Sequence, residues 1–153
     1  MATGEDTPLI GRADELAELT ALVGLPPAAG GDVGRVVLLG GDAGSGKTRL
    51  SREVSRRASA AGWRVLVGHC LDFGDGSPPY LPFSEALGRL ASEQPELAHS
   101  LVEASPAIER LHPSHRMLAE SDVSSEPTRR AALLEAVHDS LCALAADAPL
   151  LFV

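Results

Sequence analysis

Residues 41–48 read Gly-Asp-Ala-Gly-Ser-Gly-Lys-Thr, a complete GxxxxGK[ST] pattern, and no other stretch limits so sharply what the chain can fold into. Glycines at 41, 44 and 46 allow the backbone to wrap an anion, with no Cβ in the way and with positive φ available where the turn needs it. The residues on either side fit that use. Arg35-Val36-Val37-Leu38-Leu39 is a continuous aliphatic run, which predicts a strand buried on both faces as in a parallel sheet. From Lys47 to Ala60, Leu50, Val54 and Ala58 share one face, which predicts a helix that stops near Gly62. Trp63 to Gly68 predicts a second strand, so residues 35–68 read as one βαβ unit with a right-handed crossover.

In such a turn the amides of residues 44 to 48 converge on a β-phosphate at a helix N-terminus, where the helix dipole favours negative charge. Gly41, Asp42, Ala43, Gly44, Ser45 and Gly46 form the cradle, and Lys47 reaches the β- and γ-phosphates. Thr48 offers its hydroxyl to a Mg²⁺ ion bridging the same two phosphates, so the polyphosphate of a nucleotide and Mg are the expected ligands. The alternative for this stretch is a glycine-rich β-to-α turn with an incidental lysine.

Elsewhere the chain reads as follows. Residues 1–8 are a polar, disordered lead-in, and Ile10 to Val23 predicts an amphipathic helix with Leu16, Leu19, Leu22 and Val23 on its apolar face. Residues 24–34, rich in glycine and proline, read as a loop, and 72–79 are irregular by composition. Pro82 leads a helix through Leu87 and Leu90, and Leu97, Leu101 and Val102 suggest a short one before Pro106 and Pro113 interrupt. Thr128 to Asp147 predicts a long helix with Leu134, Val137, Leu141 and Leu144 as its stripe, and 149–153 begins a third strand.

Composition closes off other functions. A net charge of −8 has the wrong sign for a domain that contacts the nucleic-acid backbone, and three Phe, one Trp and one Tyr give little material for base stacking. Two cysteines 72 positions apart, Cys70 and Cys142, imply neither a disulfide framework nor a zinc site, and both read as small buried hydrophobes. No apolar run approaches a membrane span and no secretory leader is seen, so a reducing cytoplasm is expected. The five histidines show no metal-ligand spacing, and Tyr80 and Phe83 read as anchors of their loop on the sheet. No arrangement of side chains marks a catalytic nucleophile.

Pro8-Leu9-Ile10-Gly11-Arg12 with Glu15-Leu16, followed some 30 residues later by the glycine-rich loop, resembles the entry to an AAA+ or STAND-type P-loop ATPase module. It is similar to the variety found at the N-terminus of large LuxR-type bacterial transcriptional regulators and related multidomain signalling ATPases. Pro78-Pro79-Tyr80-Leu81-Pro82-Phe83, and Arg129 or Arg130 leading a helix into Ala148-Pro149-Leu150-Leu151, agree with it, so the likeness runs from about residue 8 to 153.

The resemblance implies a three-layer α/β/α fold with a parallel sheet and a partial ATP-binding domain over residues 9–153. It also implies that Ile10, Gly11 and Arg12 lie against the adenine, although Arg12 reads equally well as a solvated arginine at a helix-entry turn. In that family the strand beginning at Leu150 runs into two acidic Walker B residues, which do not occur by Val153, and neither Asp72 nor Asp147 stands at a strand tip to replace them.

The expectation is therefore a sheet cut short after its third strand, with exposed strand edges, as the N-terminal part of a larger ATPase. Hydrolysis by these residues alone is not expected, and further regulatory domains or self-association are the expected partners. Two other functions fit a phosphate loop: a small phosphotransferase, against which some 34 residues precede the loop, and an interaction domain with a vestigial loop.

Overall fold

The computed structural model describes residues 11–25, 34–70, 80–111 and 127–153. The expected lead-in 1–8, Ile10, the irregular 72–79 segment with Asp72, and His112 and His115 lie outside the described residues. The chain divides into two compact units, Met1–Trp63 and Arg64–Val153.

In the first unit, helix α1 spans Ala13–Val23 and lies against helix α2, Lys47–Ala60. Helix α1 ends where a left-handed residue is needed. Gly24, at φ 85°, donates its amide to Ala21 O, and the amide of the buried Leu25 reaches Thr20 O at 2.9 Å, which satisfies two orphan carbonyls of the last turn. Leu16 is buried as the pattern predicts, but Leu22 is 49% exposed, so the apolar stripe of α1 is narrower than its spacing suggests.

Helix α2 buries Leu50, Val54 and Ala58, the three residues the spacing selects. On its solvent side Glu53 accepts Arg56 Nη2 at 2.8 Å and Arg57 Nε at 3.0 Å. The hydrogen bond from Arg56, with Arg57 adding to it, holds the Glu53 carboxyl down to about 2. A carboxyl that titrates lower in the folded than in the unfolded chain stabilises the fold above its ordinary value of 4.5, and that contribution disappears as the pH falls from there towards 2. The melting temperature should therefore fall over that interval, and Glu53→Gln should flatten this part of the profile; an unchanged slope in the variant would show that other carboxyls govern it.

The predicted strand over residues 35–39 is not formed. Residues 34–40 take no regular structure, and Val36 and Leu38 are 91% and 92% exposed. An aliphatic run becomes a strand only when neighbouring strands take up its amides and carbonyls, and among the described residues none pairs with this segment. The predicted βαβ unit over 35–68 is accordingly absent.

The second unit holds a two-stranded parallel sheet, β1 at Arg64–Leu66 beside β2 at Leu150–Phe152, in the register Arg64↔Leu150, Val65↔Leu151 and Leu66↔Phe152. The predicted second and third strands thus exist and pair directly. Parallel strands need a long crossover, supplied here by helices α3 (Leu81–Glu93), α4 (Pro95–Ala104), a 3₁₀ turn (Pro106–Leu111) and α5 (Pro127–Asp147).

Two clusters hold this unit together: Leu66, Ala86, Leu90, Leu101 and Leu144 by the sheet, and Ile108, Leu111, Leu133, Ala136 and Val137 among the helices. The stripe of α5 holds at Val137 and Leu144, which are buried, and at Leu141, which packs on both clusters, and differs at its first position. Leu133, Ala136, Val137, Ser140 and Leu144 are buried and Leu134 is 46% exposed, because the adjacent Leu133 and Leu134 satisfy two helical registers equally well. Phe83 does anchor to the sheet, stacking on Phe152 with ring centroids 5.3 Å apart. Tyr80 packs instead against the helical cluster. Cys70 and Cys142 are both exposed, contrary to the expectation of buried cysteines: Cys70 lies beyond the end of β1, and Cys142 is on the outer face of α5. Within the described residues, no helix is long and apolar enough to cross a membrane.

Candidate functional site

The loop over 41–48 winds directly into α2, and its geometry follows from the glycines. Gly44 has φ 79° and Gly46, the residue preceding α2, has φ 85°, conformations that cost little only without a side chain. The Asp42 carbonyl accepts the Ser45 amide at 3.2 Å, which closes a turn inside the loop. The Ser45 amide is thus engaged within the loop. The amides of Gly44, Gly46, Lys47 and Thr48 have no backbone acceptor among the described residues. Gly46 O instead accepts the amides of Arg49 and Leu50, each at 3.0 Å, and starts the helical ladder.

Electrostatics favour an anion at the same place. The first turn of α2 contains no acidic residue, and it carries Lys47 and Arg49. Nothing in that turn neutralises the positive end of the helix dipole. Lys47 Nζ donates to Gly41 O at 2.7 Å and to Asp42 O at 2.8 Å, with a third, longer contact of 3.5 Å to Ser45 Oγ. An ammonium group has three donors. Two of them tie the head of the loop to its tail, and the third makes only the weak hydroxyl contact, so it is the one a phosphate oxygen could take without undoing the loop. Thr48 is exposed at the second position of α2 and Ala43 is exposed within the loop.

Arg12 reaches this loop from α1. Its guanidinium donates through Nη1 to Ser45 O, and Nε donates to Glu15 Oε1 at 3.1 Å. The Glu15 carboxyl is shifted down, first by its own backbone amide and then by Arg12. Gly11, with φ 73°, is exposed. The structure thus brings Arg12 together with residues 41–48, a meeting across 33 positions that no local pattern announces.

A second polar constellation had no signal in the sequence. Beyond β1, His69 donates its backbone amide to Glu85 Oε2 at 2.9 Å, and its Nδ1 lies 2.9 and 3.0 Å from the two oxygens of that carboxylate. The His69 side chain, followed by the backbone contact and the more distant Arg89, holds the Glu85 carboxyl below its ordinary range. The pair fixes the exit of β1 onto α3. Asp147 ends α5, away from a strand tip, and no group of three or more metal-ligating side chains occurs among the described residues.

In the first unit a glycine-rich loop opens a helix, and the second unit pairs helices with two parallel strands. A family model described as the AAA ATPase domain matches residues 8–153, and the chain belongs to that family. Membership carries a P-loop NTPase-like α/β fold, of which the parallel pair β1–β2 is a small instance. Members generally bind ATP with Mg²⁺. No curated protein and no solved structure gives a significant match to the chain.

Proposed function

We propose that residues 41–48 are a Walker A loop that binds ATP, and that the chain serves as the nucleotide switch of a cytoplasmic, LuxR-type regulatory ATPase. The observation that carries the reading is the set of donors at the start of α2. Gly44, Gly46, Lys47 and Thr48 offer amides without a backbone acceptor among the described residues, beside a lysine whose third donor makes only a 3.5 Å contact with Ser45 Oγ and a first turn without acid. Those features fit a polyphosphate on grounds independent of the family.

In this reading Gly41, Asp42, Ala43, Gly44, Ser45 and Gly46 form the cradle, Lys47 holds the β- and γ-phosphates, and Thr48 supplies a hydroxyl to Mg²⁺. Held at Thr48, the metal would offset the charge of the phosphates. Ile10, Gly11 and Arg12 belong on the adenine side, by likeness to the family box. Self-association or further regulatory domains would be the partners of the switch. Its principle is differential affinity of two conformations for ATP and ADP. The exposed Val36 and Leu38 support that reading, since a strand-forming run without a sheet is suited to such a change of partner. Direct contact with nucleic acid or membrane is not part of the proposal.

Nucleotide titration of the chain, combined with assays for free phosphate and for transfer to small acceptors, separates the possible functions. ATP binding that is lost in Lys47→Ala and gives no turnover supports the switch. Phosphate transferred to an acceptor would make the protein a phosphotransferase, and a folded chain that binds no nucleotide would leave an interaction domain with a vestigial loop.

A further inference from the structure

We propose that Arg12 is a positioning residue for the phosphate grip, acting through the Ser45 carbonyl to aim the Gly46 amide into the cradle. The inference rests on the phosphate-binding reading of residues 41–48 and assigns to Arg12 a task on the loop itself.

The argument begins with the peptide unit. Ser45 C=O and Gly46 N–H belong to one planar trans group and point to opposite sides of it. Whatever holds the carbonyl therefore holds the amide, facing the other way. Arg12 Nη1 is hydrogen-bonded to Ser45 O, while the Gly46 amide has no backbone acceptor among the described residues. Glycine at 46 leaves this peptide free to flip, because a residue at φ 85° without a Cβ tolerates several orientations. A fixed cation on the carbonyl removes that freedom. It also polarises the peptide and strengthens the donor on its far side.

The clamp has a firm mount. Arg12 is the residue before α1, its own carbonyl accepts the Leu16 amide at 3.1 Å, and Glu15 holds its Nε at 3.1 Å from the first turn. Space is matched to it as well. A Cβ at Gly46 would stand 3.0 Å from Arg12 Nη1, so the guanidinium lies close over a position that favours glycine by its φ of 85°. An arginine that met the adenine alone would not need that approach.

The test is a set of calorimetric titrations of the full chain with Mg²⁺ and ATP, GTP or inorganic tripolyphosphate, for the wild type, Arg12→Gln, Arg12→Lys and Lys47→Ala, with melting curves to show that each is folded. Arg12→Gln should weaken all three ligands by the same factor, about tenfold, the low end of what a hydrogen bond from a charged group contributes. It should also shift the Gly46 amide resonance before any ligand is added. Arg12→Lys, which keeps a cationic donor, should recover part of the loss. A loss confined to ATP with tripolyphosphate unchanged, a folded Arg12→Lys no better than Arg12→Gln, or full affinity in Arg12→Gln while Lys47→Ala loses it, would each overturn the inference and leave the phosphate-binding reading standing. A wild-type chain that binds none of the three would overturn that reading and the role of Arg12 with it.

Discussion

Lys47→Ala should weaken ATP binding by roughly a hundredfold while leaving the second unit of the chain folded. The size follows from what the ammonium does. A hydrogen bond to a charged group contributes up to about 3 kcal/mol, and Lys47 would give one to a polyphosphate in a loop whose remaining donors are backbone amides. The substitution also removes its bonds to Gly41 O and Asp42 O, which close the loop. Ligand and loop therefore lose the same group, and the loss should exceed that of Arg12→Gln. Calorimetric titration measures it. A decrease of only two- or threefold would mean that phosphate is held elsewhere, or by the amides without the lysine.

Gly68→Ala should be the most damaging single methyl in the second unit. Gly68 lies beyond β1, and its amide continues the ladder by donating to Val153 O at 2.8 Å. A Cβ there would stand 2.3 Å from Pro82 O and 2.6 Å from the Pro82 carbonyl carbon and Cα. All three are backbone atoms at the start of α3, so no side chain can swing aside. Relief requires moving the helix that carries Phe83 onto Phe152, or breaking the last bonds of the sheet. Overpacking of this kind costs about 3 kcal/mol, which for a unit of this size lowers the melting temperature by roughly 12–24 °C. A drop of only a few degrees would show that α3 yields easily, and that the sheet does not depend on this approach.

What the sequence revealed, and what it concealed, divides along the range of the interactions. Helix α2 was legible because Leu50, Val54 and Ala58 allow one helical register and no other, and because the glycines before it mark its start. The strands at Arg64–Leu66 and Leu150–Phe152 were legible as short apolar runs. The run at 35–39 has equally strong propensity and is not a strand, since strandness belongs to a pair and the described structure gives Val36 and Leu38 no partner. In α5, two consecutive leucines left the register open by one residue, and packing chose Leu133 over Leu134.

For the candidate site, the residues of the 41–48 loop were legible in their order and chemistry, but the use of the Ser45 amide within the loop was not. The turn from Asp42 to Ser45 depends on backbone angles that a motif does not encode. The contact of Arg12 with Ser45 and that of His69 with Glu85 join residues 33 and 16 positions apart. Neither spacing has a period, so only the folded chain could show them.

Amide hydrogen exchange, read residue by residue with and without Mg²⁺ and ATP, tests the central claim most directly. If residues 41–48 grip the phosphates, ATP should slow exchange at Gly44, Gly46, Lys47 and Thr48, whose amides have no backbone acceptor among the described residues, with a smaller change at Ser45, whose amide already has one. Protection that appears elsewhere, such as at the exit of β1, while those four amides stay unchanged would contradict the account.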